Sequence, residues 1–141
     1  MGKILCATRG GEASIRTQKA AIERAKKSND ELIFFYVVNV DFLAQADYAL
    51  RPDVVTKEMD KMADFLLAMA VERAEKGGVA ARYIMGHGNF VEQLKEAIEA
   101  EEISLFILGR PGEDGSAFEL EGLQRLAEAV QAETGVEFLI A

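Results

Sequence analysis

Short apolar runs alternate along this chain with longer stretches in which apolar residues recur at helical spacing. The short runs are nearly continuous in Ile, Leu, Val, Phe and Tyr, which is typical of strands covered on both faces. This alternation predicts an α/β fold in which helices cover a parallel sheet. The five predicted strands span residues 3–7, 31–38, 80–85, 104–109 and 136–140.

Four helices are predicted between these strands, beginning near Ala13, Asp53, Asn89 and Gly122. The start of the third predicted helix is indicated by Asn89 with Glu92 three residues later, which resembles a capping box. The second helix has the clearest pattern, and we interpret its methionines as gap-fillers of the core. Glycines 77 and 78 predict its end. Its apolar series is Val55, Met59, Met62, Phe65, Leu66, Met69 and Ala70.

Length and composition narrow the class of protein. The chain has 141 residues, 50% of them hydrophobic, which suits one compact domain over residues 1–141. Sixteen Lys and Arg oppose 24 Asp and Glu, and the net charge of −8 argues against nucleic acid as a partner. No apolar run approaches the roughly 20 residues of a membrane span, and residues 1–10 lack a signal-peptide pattern. We therefore expect a cytoplasmic protein with no membrane partner.

Candidate chemistry lies where the predicted strands end, because open parallel sheets bind ligands outside the carboxyl ends of their strands. Three glycine-bearing loops occupy those places, at residues 8–12, 85–89 and 109–122. Glycine allows a ligand to approach backbone N–H groups, as in phosphate sites, but it also serves any tight turn from strand to helix. Both readings stay open on the residues alone. One Cys and one His predict no metal site, and Cys6 within a strand predicts an inert buried thiol.

The loops and their flanking strands resemble the universal stress protein family over essentially the whole chain. Residues 3–14 resemble its first strand and turn, and Gly86-His87-Gly88 resembles its glycine turn before the third helix. Residues 103–109 resemble the strand that enters its G-x2-G-x9-G-[ST] motif, which Gly109, Gly112 and Gly122 match in spacing. The resemblance implies a three-layer sandwich whose five-stranded parallel sheet has the order 3-2-1-4-5. Some members bind ATP between strands 1 and 4, others bind no nucleotide, and many are dimers.

The resemblance also implies which residues would bind an adenine nucleotide, with AMP, or ATP and Mg²⁺, as the candidate cofactors. They are Ala7, Thr8, Arg9, Gly10, Val38, Gly109, Arg110, Gly112, Gly122 and Leu123. Two departures predict a degraded phosphate site: Arg9 replaces the usual Asp, and Leu123 replaces a Ser or Thr hydroxyl. Four acidic residues of the loop, Glu113, Asp114, Glu119 and Glu121, would also oppose a triphosphate, unless Mg²⁺ bridged Asp114 and the phosphates.

Three function classes compete. The first is a regulatory stress-response module of the universal stress protein type, without catalysis, because we find no nucleophile beside an activating base. The second is a nucleotide-binding or nucleotide-hydrolysing member of the wider adenine-nucleotide alpha-hydrolase superfamily. Residues 9–14 faintly resemble the phosphate loop S-G-G-x-D-S of its pyrophosphatases, but lack the first Ser and the Asp. The third, a phospho-receiver domain, fails because the acidic residues it needs after strands 1 and 3 are absent.

The last predicted strand also predicts a homodimer. An apolar strand at the edge of a sheet presents unpaired backbone groups, and such edges are normally covered. In the resembling family this strand commonly pairs with its two-fold mate, an isologous contact. The candidate interface residues are Val136, Phe138 and Ile140.

Overall fold

Five strands and four helices alternate along the chain in a computed structural model that describes residues 2–8, 12–38, 52–110 and 117–141. The strands are β1 (Lys3–Ala7), β2 (Glu31–Val38), β3 (Ala81–His87), β4 (Leu105–Leu108) and β5 (Glu137–Ile140). The helices are α1 (Glu12–Ser28), α2 (Pro52–Lys76), α3 (Phe90–Ala100) and α4 (Ala117–Thr134).

All neighbouring strands are parallel, and their order is β3-β2-β1-β4-β5, as the family resemblance implied. Connections between parallel strands are right-handed, so the side on which a helix packs depends on the direction of the step across the sheet. The steps from β1 to β3 run one way, and those from β3 to β5 run the other. Helices α1 and α2 therefore cover one face, and α3 and α4 cover the opposite face. The predicted three-layer sandwich is confirmed.

The strand predictions agree with the structure to within two residues at each end, but the start of α4 was predicted wrongly. This helix begins at Ala117, five positions before Gly122. Gly122 therefore lies inside a helix instead of in the turn that precedes one. The sequence prediction used glycine as a sign of a turn, whereas glycine inside a helix costs only about 1 kcal/mol and is tolerated. At α3 the prediction is confirmed, because the Asn89 side chain accepts a hydrogen bond from Glu92 N–H at 3.0 Å.

Two apolar layers enclose the sheet. On one face, β1 and β2 pack against α1 and α2, with Phe34 and Leu67 fully buried. On the other face, Phe106 of β4 and Leu94 of α3 are fully buried, and α4 adds Val130. No helix among the described residues is long and apolar enough to span a membrane.

Helix α2 packs on the sheet through a different face from the one its sequence suggested. The residues it buries are Ala63, Leu67, Ala70 and Ala74. Met62 and Met69, which we interpreted as gap-fillers of the core, are 65% and 40% exposed, and Phe65 of the same apolar series is 64% exposed. The small alanines bring the helix axis close to β2 and β3, so this face packs well without large side chains. Apolar spacing alone could not separate two apolar faces of one helix.

This orientation predicts opposite effects for two substitutions on α2. Leu67→Ala should lower the free energy of unfolding by about 2–5 kcal/mol, because it leaves a cavity beneath the helix. Met62→Ala should change it by no more than about 0.5 kcal/mol in dilute solution, because that side chain lies in solvent. Urea denaturation of both variants measures the difference. A large loss for Met62→Ala and a small one for Leu67→Ala would contradict the observed orientation of α2.

Candidate functional site at the carboxyl ends of β1 and β4

The order of the strands reverses between β1 and β4, and a cleft of about 480 Å³ opens beside their carboxyl ends. Two neighbouring strands leave in opposite directions at this point, so the segments that follow them separate and leave space. The lining residues come from β1, β2, β4 and their exits, and from α3 and α4. They are Ala7, Thr8, Tyr36, Val37, Phe90, Leu108, Gly109, Leu123 and Leu126.

The floor of the cleft holds a buried chain of hydrogen bonds that begins at Thr8. Gln18 of α1 donates from Nε2 to Thr8 Oγ1 at 3.0 Å, and both side chains are buried. Arg73 of α2 donates from Nη1 to Gln18 Oε1 at 2.5 Å. The chain fixes the orientation of the Gln18 amide, because a guanidinium can only donate. Thr8 Oγ1 therefore accepts a hydrogen bond from Gln18, and the hydrogen of the Thr8 hydroxyl points away from the Gln18 amide.

Gly109 is required at the end of β4 because α1 approaches it closely. A Cβ atom built on Gly109 would lie 2.6 Å from Thr17 Oγ1 and 3.4 Å from Thr17 Cβ. The Thr17 side chain is buried, and real Cβ atoms do not make so short a contact. The glycine of the family motif therefore has a packing reason at this position in addition to any ligand. Gly109 also lines the cleft.

The end of β2 directs different peptide groups toward its two neighbouring strands. Phe35 C=O accepts from Thr8 N–H at 2.9 Å, on the β1 side, and Val38 C=O accepts from Gly88 N–H at 3.0 Å, on the β3 side. Along a strand, residues two apart direct their peptide groups to the same neighbour. The N–H and C=O of Val37 thus point to the β1 side, beyond Ala7, the last residue of β1 that pairs with β2. Val37 lines the cleft, whereas the predicted site residue Val38 is only 2% exposed.

Helices α3 and α4 form an apolar wall. Phe90, the first residue of α3, packs its ring 6.4 Å from that of Phe35. Leu123 and Leu126 lie three residues apart on α4 and both face the cleft. Leu123 is also packed against the core layer under α4. It therefore forms part of the apolar wall at the position where the family resemblance implies a Ser or Thr hydroxyl. Gly122, one residue earlier, is exposed and has no atom within 4 Å of a built Cβ.

The other predicted site residues divide into two groups. Arg9, Gly10 and Gly112 lie outside the described residues, as do Glu113 and Asp114 of the acidic loop. Arg110 is exposed, and its backbone N–H donates to Ala141 C=O at 2.8 Å, which ties the end of β4 to the carboxyl end of the chain. Ala7, Thr8, Gly109 and Leu123 are thus the predicted residues that the structure brings together around the cleft.

The described lining is uncharged and mostly apolar. It contains two hydroxyl groups, on Thr8 and Tyr36, and no acid, base, thiol or imidazole. Among the described residues there is also no group of three or more His, Cys, Asp or Glu side chains that could hold a metal ion. Cys6 lies nearby in β1 but is fully buried, and burial raises the pKa of its thiol to about 12. It is therefore protonated and unreactive at neutral pH, as predicted for a packed thiol.

Sequence reasoning missed five lining residues and the Gln18–Arg73 support. Phe90 and Leu126 could have been found from the sequence, because Phe90 directly follows the glycine-bearing loop at residues 85–89 and Leu126 follows the loop at residues 109–122. Tyr36 and Val37 required the register of β2 against β1, which no local pattern reveals. The contact between Gln18 and Arg73 joins residues 55 positions apart, so only the packing of α1 against α2 creates it.

Comparisons with known proteins agree with this fold. The model of the family described as "Universal stress protein family" matches residues 1–133. No curated protein matches the sequence significantly. Among solved structures, a protein from the universal stress protein family of Burkholderia pseudomallei is 20% identical and has a TM-score of 0.76, covering 99% of this chain and 95% of its own.

Two further similar structures were solved in complex with a nucleotide. A universal stress protein in complex with cAMP is 21% identical, with a TM-score of 0.68, covering 99% of this chain and 95% of its own. The universal stress protein from Archaeoglobus fulgidus in complex with dAMP is 11% identical, with a TM-score of 0.64, covering 99% and 96%. At these identities the similarity establishes the fold.

Gly109 and Gly122, which differ in their surroundings, predict a matched pair of substitutions. Gly109→Ala should destabilise the protein by about 1–3 kcal/mol, because its methyl group would overlap Thr17 Oγ1. Gly122→Ala should stabilise it by about 0.5–1 kcal/mol, because alanine is the better helix former and space is available. Guanidinium denaturation of the two variants measures both effects. Equal effects of one sign would contradict the different surroundings described for the two glycines.

Proposed function

The chain belongs to the universal stress protein family, and we propose that it is a regulatory stress-response module that binds an adenine nucleoside or mononucleotide weakly and associates as a homodimer. The observation that carries the proposal is the cleft at the β1/β4 reversal, which has the size and the apolar walls of a small-ligand site. The similar structures that contain cAMP and dAMP support an adenine nucleotide as the ligand class.

The adenine ring suits the part of the cleft between β2 and α3. Phe90 and Tyr36 supply aromatic side chains for contact with a planar base. The N–H and C=O of Val37 supply a donor and an acceptor that do not depend on the side chain, so they survive sequence change. We therefore assign main-chain recognition of the base to Val37 instead of Val38.

The phosphate side is where binding should be weak. No described lining residue carries a positive charge, and Leu123 presents methyl groups where a hydroxyl would contact a phosphate oxygen. The chain as a whole has a net charge of −8, which repels a polyanion. A neutral adenosine or a singly phosphorylated ligand avoids most of this repulsion. We propose that this binding uses no magnesium ion. The net charge of −8 also argues against nucleic acid or an anionic membrane as a partner.

A binding role is favoured over catalysis by the groups that line the cleft. Hydrolysis of a nucleotide needs a base, a metal ion or an activated nucleophile close to the reacting phosphate. The described lining has only the Thr8 and Tyr36 hydroxyls as potential nucleophiles, and no acid, base or imidazole among the described lining residues could activate either one. We infer that the protein responds to the ligand without converting it.

Calorimetric titration with adenosine, AMP and ATP in the absence of Mg²⁺ tests the ligand class. We expect affinity to rise as phosphates are removed, with dissociation constants of micromolar or weaker, because charge repulsion grows with each phosphate. Metal-independent ATP binding with a sub-micromolar constant would contradict the degraded phosphate site. No binding of any of the three would contradict the adenine proposal itself.

A matched pair of aromatic variants locates this binding. Phe90→Leu should weaken adenosine binding on the order of tenfold, since a base–aromatic contact contributes about 1–3 kcal/mol. Phe138→Leu is the control, because Phe138 packs 5.8 Å from Phe106, in a tilted ring pair of the same kind that does not line the cleft. Equal losses in the two variants would show that stability, not the cleft, governs binding.

The homodimer proposal concerns the edge of the sheet at β5. This strand is last in the strand order, and among the described residues it pairs with β4 alone. The side chains of the candidate residues Val136, Phe138 and Ile140 pack against the core layer beneath α4. Pairing with a second copy would therefore use the main chain of β5, with Leu139, 38% exposed on the other face, at the contact.

Leu139→Lys tests this contact with little risk to the fold, because Leu139 is partly exposed. We expect the variant to lose association through β5, since the introduced lysines would meet near the two-fold axis. Ala80→Lys, at an exposed position just before the opposite edge strand β3, is the control and should leave association unchanged. Sedimentation equilibrium measures the mass of each species. A wild-type protein that sediments only as a 15.4 kDa monomer would contradict the homodimer.

A further inference from the structure

Helix α2 carries large apolar side chains on the face that points away from the sheet. Met62, Phe65 and Met69 are the three most exposed large hydrophobic residues of the described chain. On a helix with 3.6 residues per turn, Phe65 lies almost opposite the buried Leu67. Scattered exposed apolar residues are ordinary, but three on one stripe form a contiguous patch.

The rotation of α2 about its axis is fixed by polar contacts on its flanks. Asp60 bonds His87 Nε2 at 2.7 Å, and Asp64 accepts a hydrogen bond from the Tyr83 hydroxyl, both on β3. Arg73 bonds Gln18 of α1 at the other end of the helix. These contacts and the buried alanines hold the apolar stripe outward.

The stripe belongs to a regular seam. Its positions are Glu58, Met62, Phe65, Met69, Glu72 and Lys76, and the intervals between them are 4, 3, 4, 3 and 4 residues. Alternating intervals of three and four match the spacing of the a and d positions of a coiled-coil heptad, but only the three central positions are apolar, whereas Glu58, Glu72 and Lys76 are charged. A second helix would therefore pack on a short apolar centre that has charged residues at both ends.

The charges at the two ends of this seam are arranged for an antiparallel copy of the same helix. Near the start, Lys61 contacts Glu58 at 3.5 Å, and near the end, Lys76 contacts Glu72 at 3.1 Å. All four side chains are mostly exposed. In an antiparallel pair, Glu58 faces Lys76 of the second copy, and Lys61 lies beside its Glu72. The same register brings Phe65 against Met69 of the second copy and places Met62 opposite its Glu72, whose charge Lys61 offsets. The apolar contact is thus confined to the centre of the seam.

We propose that this seam is an isologous interface, in which α2 packs antiparallel against α2 of a second copy of the chain. A parallel arrangement would place Glu58 on Glu58 and Lys76 on Lys76, which repels at both ends. The interface lies on a helix, away from β5, and does not depend on the nucleotide or on the β5 dimer. If both contacts form, the two kinds of two-fold axis build an assembly larger than a dimer.

The first test uses the Leu139→Lys background, in which the β5 contact is removed. Sedimentation equilibrium at about 100 μM, suited to a micromolar dissociation constant, should show a species of twice the 15.4 kDa chain mass. Adding Phe65→Glu should return it to the monomer. Adding Ala132→Glu, which places the same charge on an exposed site of α4, should leave the dimer intact.

Three outcomes would overturn the proposal. The Leu139→Lys protein could be monomeric at this concentration, or its dimer could survive Phe65→Glu. Alternatively, Phe65→Glu could lower the melting temperature of the monomer by several degrees, which would mean that the stripe is covered within its own chain. Circular dichroism of each variant verifies that it is folded before its mass is interpreted.

A charge exchange tests the antiparallel register. Glu58→Lys alone should weaken the dimer several-fold, and the double variant with Lys76→Glu should restore it. The two positions are 18 residues apart, or about 27 Å along one helix, so they cannot compensate within a chain. Restoration therefore requires the second copy, whereas additive losses in the double variant would refute the register and the proposal with it.

Discussion

The right-handed connection between parallel strands is the constraint on which this structure depends. The chain steps in one direction across the sheet from β1 to β3 and in the other from β3 to β5. Because each connection keeps the same hand, the reversal of direction moves the helices from one face to the other. Helices α1 and α4, which follow β1 and β4, thus lie on opposite faces, and the cleft opens beside the carboxyl ends of these two strands. Its position follows from topology before any side chain is considered.

Helix α1 gives this cleft a rigid floor. Thr17 approaches Gly109 so closely that a Cβ atom there would displace the Thr17 side chain, and Gln18 donates a hydrogen bond to the Thr8 hydroxyl. Buried polar groups are costly unless they are hydrogen-bonded, and no buried side-chain nitrogen or oxygen of the described residues lacks a partner. Arg73 extends the support to α2. The geometry at the ends of β1 and β4 is thus held from beneath, and the walls above it are apolar.

Helix α2 has two apolar faces with different uses. Its alanines and Leu67 allow a close approach to the sheet, whereas its larger Met and Phe side chains lie outside. Placing the large side chains inward would force the helix away from β2 and break the contacts of Asp60 and Asp64 with β3. Close packing of the small face therefore accounts for the exposure of the large one, and it leaves a surface suited to another copy of the chain.

The sequence by itself determined the number, type and approximate bounds of the elements, because strands covered on both faces require continuous apolar runs such as 31–38 and 104–109. It also placed Thr8 and Gly109 at the carboxyl edge of the sheet, where the cleft opens, since that edge follows from the alternation of strands and helices. The strand order came from the family resemblance, because periodicity does not distinguish doubly wound topologies. The tertiary structure decided which face of α2 is buried, that α4 begins before Gly122, and that Val37 instead of Val38 lines the cleft. Each of these depends on contacts between segments distant in sequence, where packing and strand register, and not local preference, select among patterns that are locally equivalent.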